Sequence, residues 1–144
     1  KTDNFSTNGF SLIRNVLECV DEDEIKLFIN DILGPHKSYY SHLKKLYEND
    51  IYINASAHIT GGGVISNLKR VIPDGLNFKI IKSTILENLP PCMNFIKIKG
   101  NLTNEELFST FNCGIGFTII INKEDKNKIF ELFGKDILEI GYVY

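Results

Sequence analysis

Ala57-His58-Ile59-Thr60-Gly61-Gly62-Gly63 is where one periodicity gives way to another. Upstream of the glycines, Ile51, Ile53, Ala55, Ala57 and Ile59 alternate with Tyr52, Asn54, Ser56, His58 and Thr60, the period of a strand with one apolar and one polar face. Downstream, Val64, Ile65, Leu68, Val71 and Ile72 recur at helical spacing until Pro73 stops the run. The pattern predicts a strand, a glycine turn and a helix in immediate succession. Glycines at such a junction have two uses: they supply the positive φ of a tight turn, or they let a ligand reach backbone N–H groups with no Cβ in the way. The second use suits a phosphate, cradled by Thr60, Gly61, Gly62 and Gly63. His58 would then orient the phosphate or carry a proton, imidazole being the side chain suited to proton transfer in neutral solution; under the first use it only hydrogen-bonds across the sheet.

The same two uses meet again towards the N-terminus. Ser6-Thr7-Asn8-Gly9 precedes Phe10, Ile13, Leu17 and Val20 on one helical face. Thr7 or Asn8 is expected to cap that helix, and Gly9 leaves room for a ligand, which makes a second candidate anion site. The acidic run Asp21-Glu22-Asp23-Glu24 opens a second helix carrying Ile25, Phe28, Ile29 and Ile32; its charge suits the helix dipole, and consecutive carboxylates do not converge on a metal. Tyr39, Leu43, Leu46 and Tyr47 mark the core face of a third helix.

Beyond Pro73, Asp74-Gly75 reads as a turn and Leu76, Phe78 and Ile80 as a second alternating strand, which together predict a right-handed β-α-β crossover between parallel strands. Pro90-Pro91 opens either a short helix through Met93, Phe95 and Ile96 or an extended segment. Thr103-Asn104-Glu105-Glu106 has the form of a capping box and predicts a helix from Asn104 to about Thr110. Asn112-Cys113-Gly114-Ile115-Gly116 then leads into Phe117 to Ile121, a β-branched run that predicts a central strand buried on both faces. Asn122 is expected to cap a helix with Ile129, Phe130, Leu132 and Phe133 inward, Gly134 to end it, and Ile137 to Val143 to form a last strand. The expected architecture is one α/β domain over residues 1–144, α+β-like in character, with a mixed β-sheet covered by helices.

Composition narrows the function classes. The chain has 144 residues, 43% hydrophobic and 24% charged, with a formal charge of -2, so it has no basic footprint for nucleic acid or an anionic membrane. Cys19, Cys92 and Cys113 are odd in number and too far apart for a zinc motif, which fits a reduced, cytoplasmic protein with no metal centre of its own. No apolar stretch approaches the roughly 20 residues a membrane span needs. The start at Lys1, with a structured motif inside the first ten residues, suggests a domain taken from a longer protein.

Three stretches then coincide in order: Ser6-Thr7-Asn8-Gly9-Phe10-Ser11-Leu12-Ile13-Arg14, Ala57 to Gly63, and Thr110-Phe111-Asn112-Cys113-Gly114-Ile115-Gly116. Together they resemble the C-terminal domain of the aminoimidazole ribonucleotide synthetase family, the phosphoribosylformylglycinamidine cyclo-ligases, over essentially the whole chain. The resemblance implies a partly ferredoxin-like sheet and one half of an ATP-dependent, magnesium-using enzyme of purine biosynthesis. In such an enzyme ATP phosphorylates the formyl oxygen of formylglycinamidine ribonucleotide, and a neighbouring nitrogen attacks to close the ring. It also implies that ATP, magnesium and the homodimer interface belong mainly to an N-terminal domain absent from this chain. This half would then supply the substrate side and would not turn over alone.

Matched position by position, Asn8 and Gly9 fall on the family's Ser/Thr-Asn-Gly helix start, with Thr7 beside them. His58, Thr60, Gly61, Gly62 and Gly63 fall on its His-Ile-Thr-Gly-Gly-Gly turn, and Asn112, Gly114 and Gly116 on its Phe-Asn-x-Gly-Ile-Gly segment. Ser6 stands where the family commonly has histidine. The resemblance extends more weakly to the matching domains of formylglycinamide ribonucleotide amidotransferase, selenophosphate synthetase and thiamine monophosphate kinase. A different class, a non-catalytic ferredoxin-like binding module, would need a self-contained core with no face left for a missing domain.

Overall fold

A computed structural model describes all residues from Lys1 to Tyr144. In chain order the elements are α1 (Phe10–Leu17), α2 (Glu22–Ile32), α3 (Tyr40–Glu48), β1 (Ile53–His58), α4 (Gly63–Lys69), β2 (Phe78–Ile80), α5 (Lys82–Glu87), α6 (Pro91–Lys99), α7 (Asn104–Thr110), β3 (Phe117–Ile121), α8 (Lys126–Phe133) and β4 (Gly141–Val143). Seven of the eight helices fall on predicted segments, whereas α5 has no counterpart among them and Asn122 does not cap α8, whose N-cap is Asp125. The segment after Pro90 is helical, with Pro91 in its first turn where a missing N–H costs nothing. The capping box forms as expected: Glu106 N donates to Thr103 Oγ1 (3.2 Å) while Thr103 N donates to Glu106 Oε2 (2.8 Å). No helix is long and apolar enough to cross a membrane.

The α/β character holds, but the sheet is arranged differently from the expectation. Strand β1 pairs antiparallel with β3, with Ala57 opposite Thr118 and His58 opposite Phe117. Strand β2 pairs antiparallel with β4, with Phe78 opposite Val143. There are two two-stranded sheets in place of one mixed sheet, and the predicted parallel crossover does not form. A period of two fixes which side chains share a face, not which strand lies alongside; one edge of β1 is taken by a strand some sixty residues away in sequence, and β2 waits for the C-terminus.

Strand β3 is also not buried on both faces: Thr118 is buried, whereas Phe117, Ile119, Ile120 and Ile121 are only half-buried. The reason is a cleft of about 800 Å³ along β3, bounded by Phe78, Ile80, Ile140 and Phe133 among others. Tyr47 and Phe130 likewise turn outward, 84% and 37% exposed, because α3 and α8 have solvent and not a helical layer behind them. The main core runs through Phe5, Ile13, Ile59, Val64, Ile96 and Phe111, behind the three motif loops. A smaller core of Leu46, Ile51 and Ile129 joins α3 to α8.

Candidate functional site

The three glycine-bearing loops converge. A Cβ on Gly61 would lie 3.8 Å from Asn8 Oδ1, which brings the first loop against the second. A Cβ on Gly9 would meet the Phe111 ring at 2.2 Å, and one on Gly63 would meet the Phe108 carbonyl oxygen at 2.0 Å, which brings both against the end of α7. Gly9, Gly62 and Gly63 have φ of 74°, 88° and 68°, in the left-handed region that a Cβ disfavours. The first of the two uses foreseen for these glycines is therefore met. Gly62 and Gly63 make the turn, whereas a Cβ on exposed Gly61 would meet only Asn8 Oδ1, at an ordinary contact distance.

The first loop departs from plain capping. Neither Thr7 nor Asn8 bonds to the amides of α1, whose N-cap is Gly9. Asn8 is instead folded inward, 9% exposed, and its side-chain Nδ2 has no hydrogen-bond partner. A buried amide donor left unpaired costs about 1–3 kcal/mol, and the Oδ1 of the same side chain faces Gly61. Ser6 holds a φ of 55°, fixed by a hydrogen bond from its N–H to Asn4 Oδ1 (3.1 Å). The backbone N–H groups of Phe10, Ser11 and Leu12 in α1, and of Gly61 and Gly62 in the second loop, donate to no acceptor within the protein. Beside Gly62 a recess of about 350 Å³ is flanked by Lys69, Lys82 and Glu105.

Asn67 was the residue that pattern reading passed over. It is buried, and its side chain gathers the whole second loop: Nδ2 donates to the carbonyls of Gly63 (2.8 Å), Thr60 (3.2 Å) and Gly61 (3.3 Å), and Oδ1 accepts from the Thr60 hydroxyl (3.1 Å). The available signal was its spacing, four residues after Gly63, from which a helical asparagine reaches the carbonyl one turn back.

Asn112 and Gly114 stand behind the site. Asn112 is fully buried and each of its side-chain polar atoms has a partner, Nδ2 donating to the Asn4 carbonyl (3.0 Å) and Oδ1 accepting from Gly114 N (2.9 Å). A Cβ on Gly114 would strike the Pro90 ring at 2.7 Å. These two residues therefore hold the wall and offer no free group to a ligand. Between them Cys113 is buried and its thiol is pushed up to about 12, so it packs and does not act as a nucleophile at neutral pH.

His58 stands apart from this hydrogen-bonded unit. It is exposed at the end of β1, makes no hydrogen bond, and lies against the rings of Tyr39 and Phe117 with centroids 6.5 and 6.4 Å away. The large cleft along β3 includes neither Asn8 nor Gly61 to Gly63. No three His, Cys, Asp or Glu side chains are grouped to hold a metal ion.

A protein-family model described as AIR synthase related protein, C-terminal domain, matches residues 1–144. Curated relatives agree. The phosphoribosylformylglycinamidine cyclo-ligase of Prochlorococcus marinus (strain MIT 9301) is 34% identical over 153 residues, covering 99% of this chain and 44% of that protein. The protein of the same name from Methylobacillus flagellatus is 32% identical over 145 residues, covering 95% of this chain and 41% of that one. That of Fusobacterium nucleatum is 33% identical over 152 residues, covering 96% and 43%. The chain thus spans about two fifths of the length of the curated relatives it matches.

Proposed function

The chain belongs to the AIR synthase related C-terminal domain family, and we propose that it is the substrate-side half of a cytoplasmic, homodimeric cyclo-ligase that converts formylglycinamidine ribonucleotide to aminoimidazole ribonucleotide. The observation that carries the reading is the meeting of the first two loops, where Asn8 Oδ1 would lie 3.8 Å from a Cβ on Gly61 and the Gly61 and Gly62 N–H groups have no acceptor within the protein. Such donors complement a phosphate. Thr7, Asn8, Gly9 and Thr60 to Gly63 would form the contact surface, with Asn112 and Gly114 holding it from behind. Lys69 and Lys82 add positive charge beside Gly62. His58, whose exposed side chain makes no hydrogen bond within the protein, would orient the phosphate or carry a proton.

ATP would supply the phosphoryl group that activates the substrate's formyl oxygen. The donor set here fits its phosphates or the substrate's. It does not fit magnesium, for which no carboxylate cluster is present. The ion would be held by an N-terminal domain, as would most of the nucleotide and the dimer interface. The names of the curated relatives support a cyclo-ligase over the amidotransferase and selenophosphate synthetase readings.

Gly61 provides the test, because a Cβ there would meet a single atom, Asn8 Oδ1, at an ordinary contact distance of 3.8 Å. Gly61→Val is expected to fold with an unchanged melting temperature while its affinity for formylglycinamidine ribonucleotide, measured by titration calorimetry, falls by about tenfold or more, the equivalent of one lost hydrogen bond to a charged group. Wild-type affinity in that variant would sink the cradle, and turnover by the chain alone would sink the half-site reading.

A further inference from the structure

Three carbonyl groups of the second loop turn toward one side chain. Asn67 Nδ2 faces the carbonyl oxygens of Thr60, Gly61 and Gly63, and its Oδ1 holds the Thr60 hydroxyl. An amide nitrogen carries two hydrogens, so three acceptors share two donors and the loop is drawn in around a single point. The consequence lies on the other side of each peptide plane. In a trans peptide the N–H points opposite to the C=O of the same unit, and every peptide bond in this chain is trans. The Thr60 carbonyl shares its plane with the Gly61 N–H, and the Gly61 carbonyl with the Gly62 N–H. Holding those two carbonyls inward therefore aims the Gly61 and Gly62 N–H groups outward, and these are the groups that donate to no acceptor in the protein. Asn8 borders the loop through its Oδ1, which would lie 3.8 Å from a Cβ on Gly61.

We infer that Asn67 is a positioning residue: it touches no ligand, and by gripping the carbonyls of Thr60 and Gly61 it presents the Gly61 and Gly62 amides to a phosphate. This rests on the reading of the site as an anion cradle. It adds that the cradle is preset before a ligand arrives, so the cost of ordering three glycines is met on folding and not on binding.

The test uses the protein labelled with 15N and inorganic phosphate as the probe. In the ligand-free wild type, residual dipolar couplings of the Gly61 and Gly62 N–H vectors should report the outward orientation; inward vectors would overturn the inference without any variant. Asn67→Ser reaches the Gly63 carbonyl but not the other two, and Asn67→Asp keeps the acceptor for Thr60 while losing every donor. Both are expected to scatter those vectors and to weaken phosphate binding by about tenfold. Leu68→Ala, a neighbouring core truncation that lowers the melting temperature as much, should bind phosphate like the wild type. If a folded Asn67 variant keeps its vectors and affinity, or if Leu68→Ala loses as much affinity, the role is only structural. A wild type whose Gly61, Gly62 and Asn8 resonances ignore phosphate would remove the cradle reading, and the orientation measurements would still decide the part played by Asn67.

Discussion

Gly63 and Gly75 have similar backbone angles and different surroundings. Both hold positive φ, 68° and 90°, but a Cβ on Gly63 would sit 2.0 Å from the Phe108 carbonyl oxygen while one on Gly75 would meet nothing within 4 Å. Alanine at Gly75 should therefore cost only the left-handed strain, about 1–2 kcal/mol. At Gly63 the same change adds a clash with main chain in α7, and the loss should reach about 3 kcal/mol or more. Urea unfolding of the two variants measures both; equal losses would mean that α7 yields to the intruding methyl group. Glycine can be read in a sequence as permission for such geometry, which is why the loops were legible. Which glycine serves conformation, which serves packing and which keeps open space was not legible, because that depends on neighbours about fifty residues away. For the same reason Asn67 gave no sign beyond its spacing: its value lies in three carbonyls that only the folded turn brings within reach.

At the scale of elements, the N-terminus of α7 is a case in which local sequence sufficed. Thr103 and Glu106 exchange hydrogen bonds within four residues, with no need of the rest of the fold. Thr103→Ala should cost about 1 kcal/mol. Hydrogen bonds from the Thr103 backbone and then from its hydroxyl hold the Glu106 carboxyl below its ordinary value. A carboxylate with a depressed folded-state pKa contributes stability that is fully present above its unfolded value and is lost as pH falls through the folded one. The difference in melting temperature between wild type and Glu106→Gln should therefore be largest at neutral pH and shrink on acidification through the carboxylate range; a constant difference would mean that charge plays no part in the box. The strands contrast with this. Their faces were legible from the alternation, as Ala57 and Ile59 show by being buried beside exposed His58. Their partners were not, because antiparallel pairing of β1 with β3 and of β2 with β4 is decided between segments that share no local signal.

Across the whole molecule, burial is unevenly divided. The large core lies behind the motif loops, under α1, α4, α6 and α7, whereas α3 and α8 rest on the three buried residues Leu46, Ile51 and Ile129. Less buried apolar area means a smaller free-energy gap to local opening. Amide hydrogens in α3 and α8 should exchange at least about tenfold faster than those in α4 and α6, as hydrogen-exchange mass spectrometry would measure. Uniform protection would show that the two cores open as one unit.

The hydrogen bond from Asn112 to the Asn4 carbonyl joins residues 108 positions apart, and the Thr2 N–H reaches the Gly114 carbonyl at 2.8 Å. On a ribosome the chain emerges from its N-terminus onward. The loop bearing Asn8 and the turn bearing Gly61 are both outside long before Asn112 appears to lock the wall behind them. During synthesis the two loops that we propose form the cradle are therefore exposed first, and the wall behind them can close only when the third motif arrives.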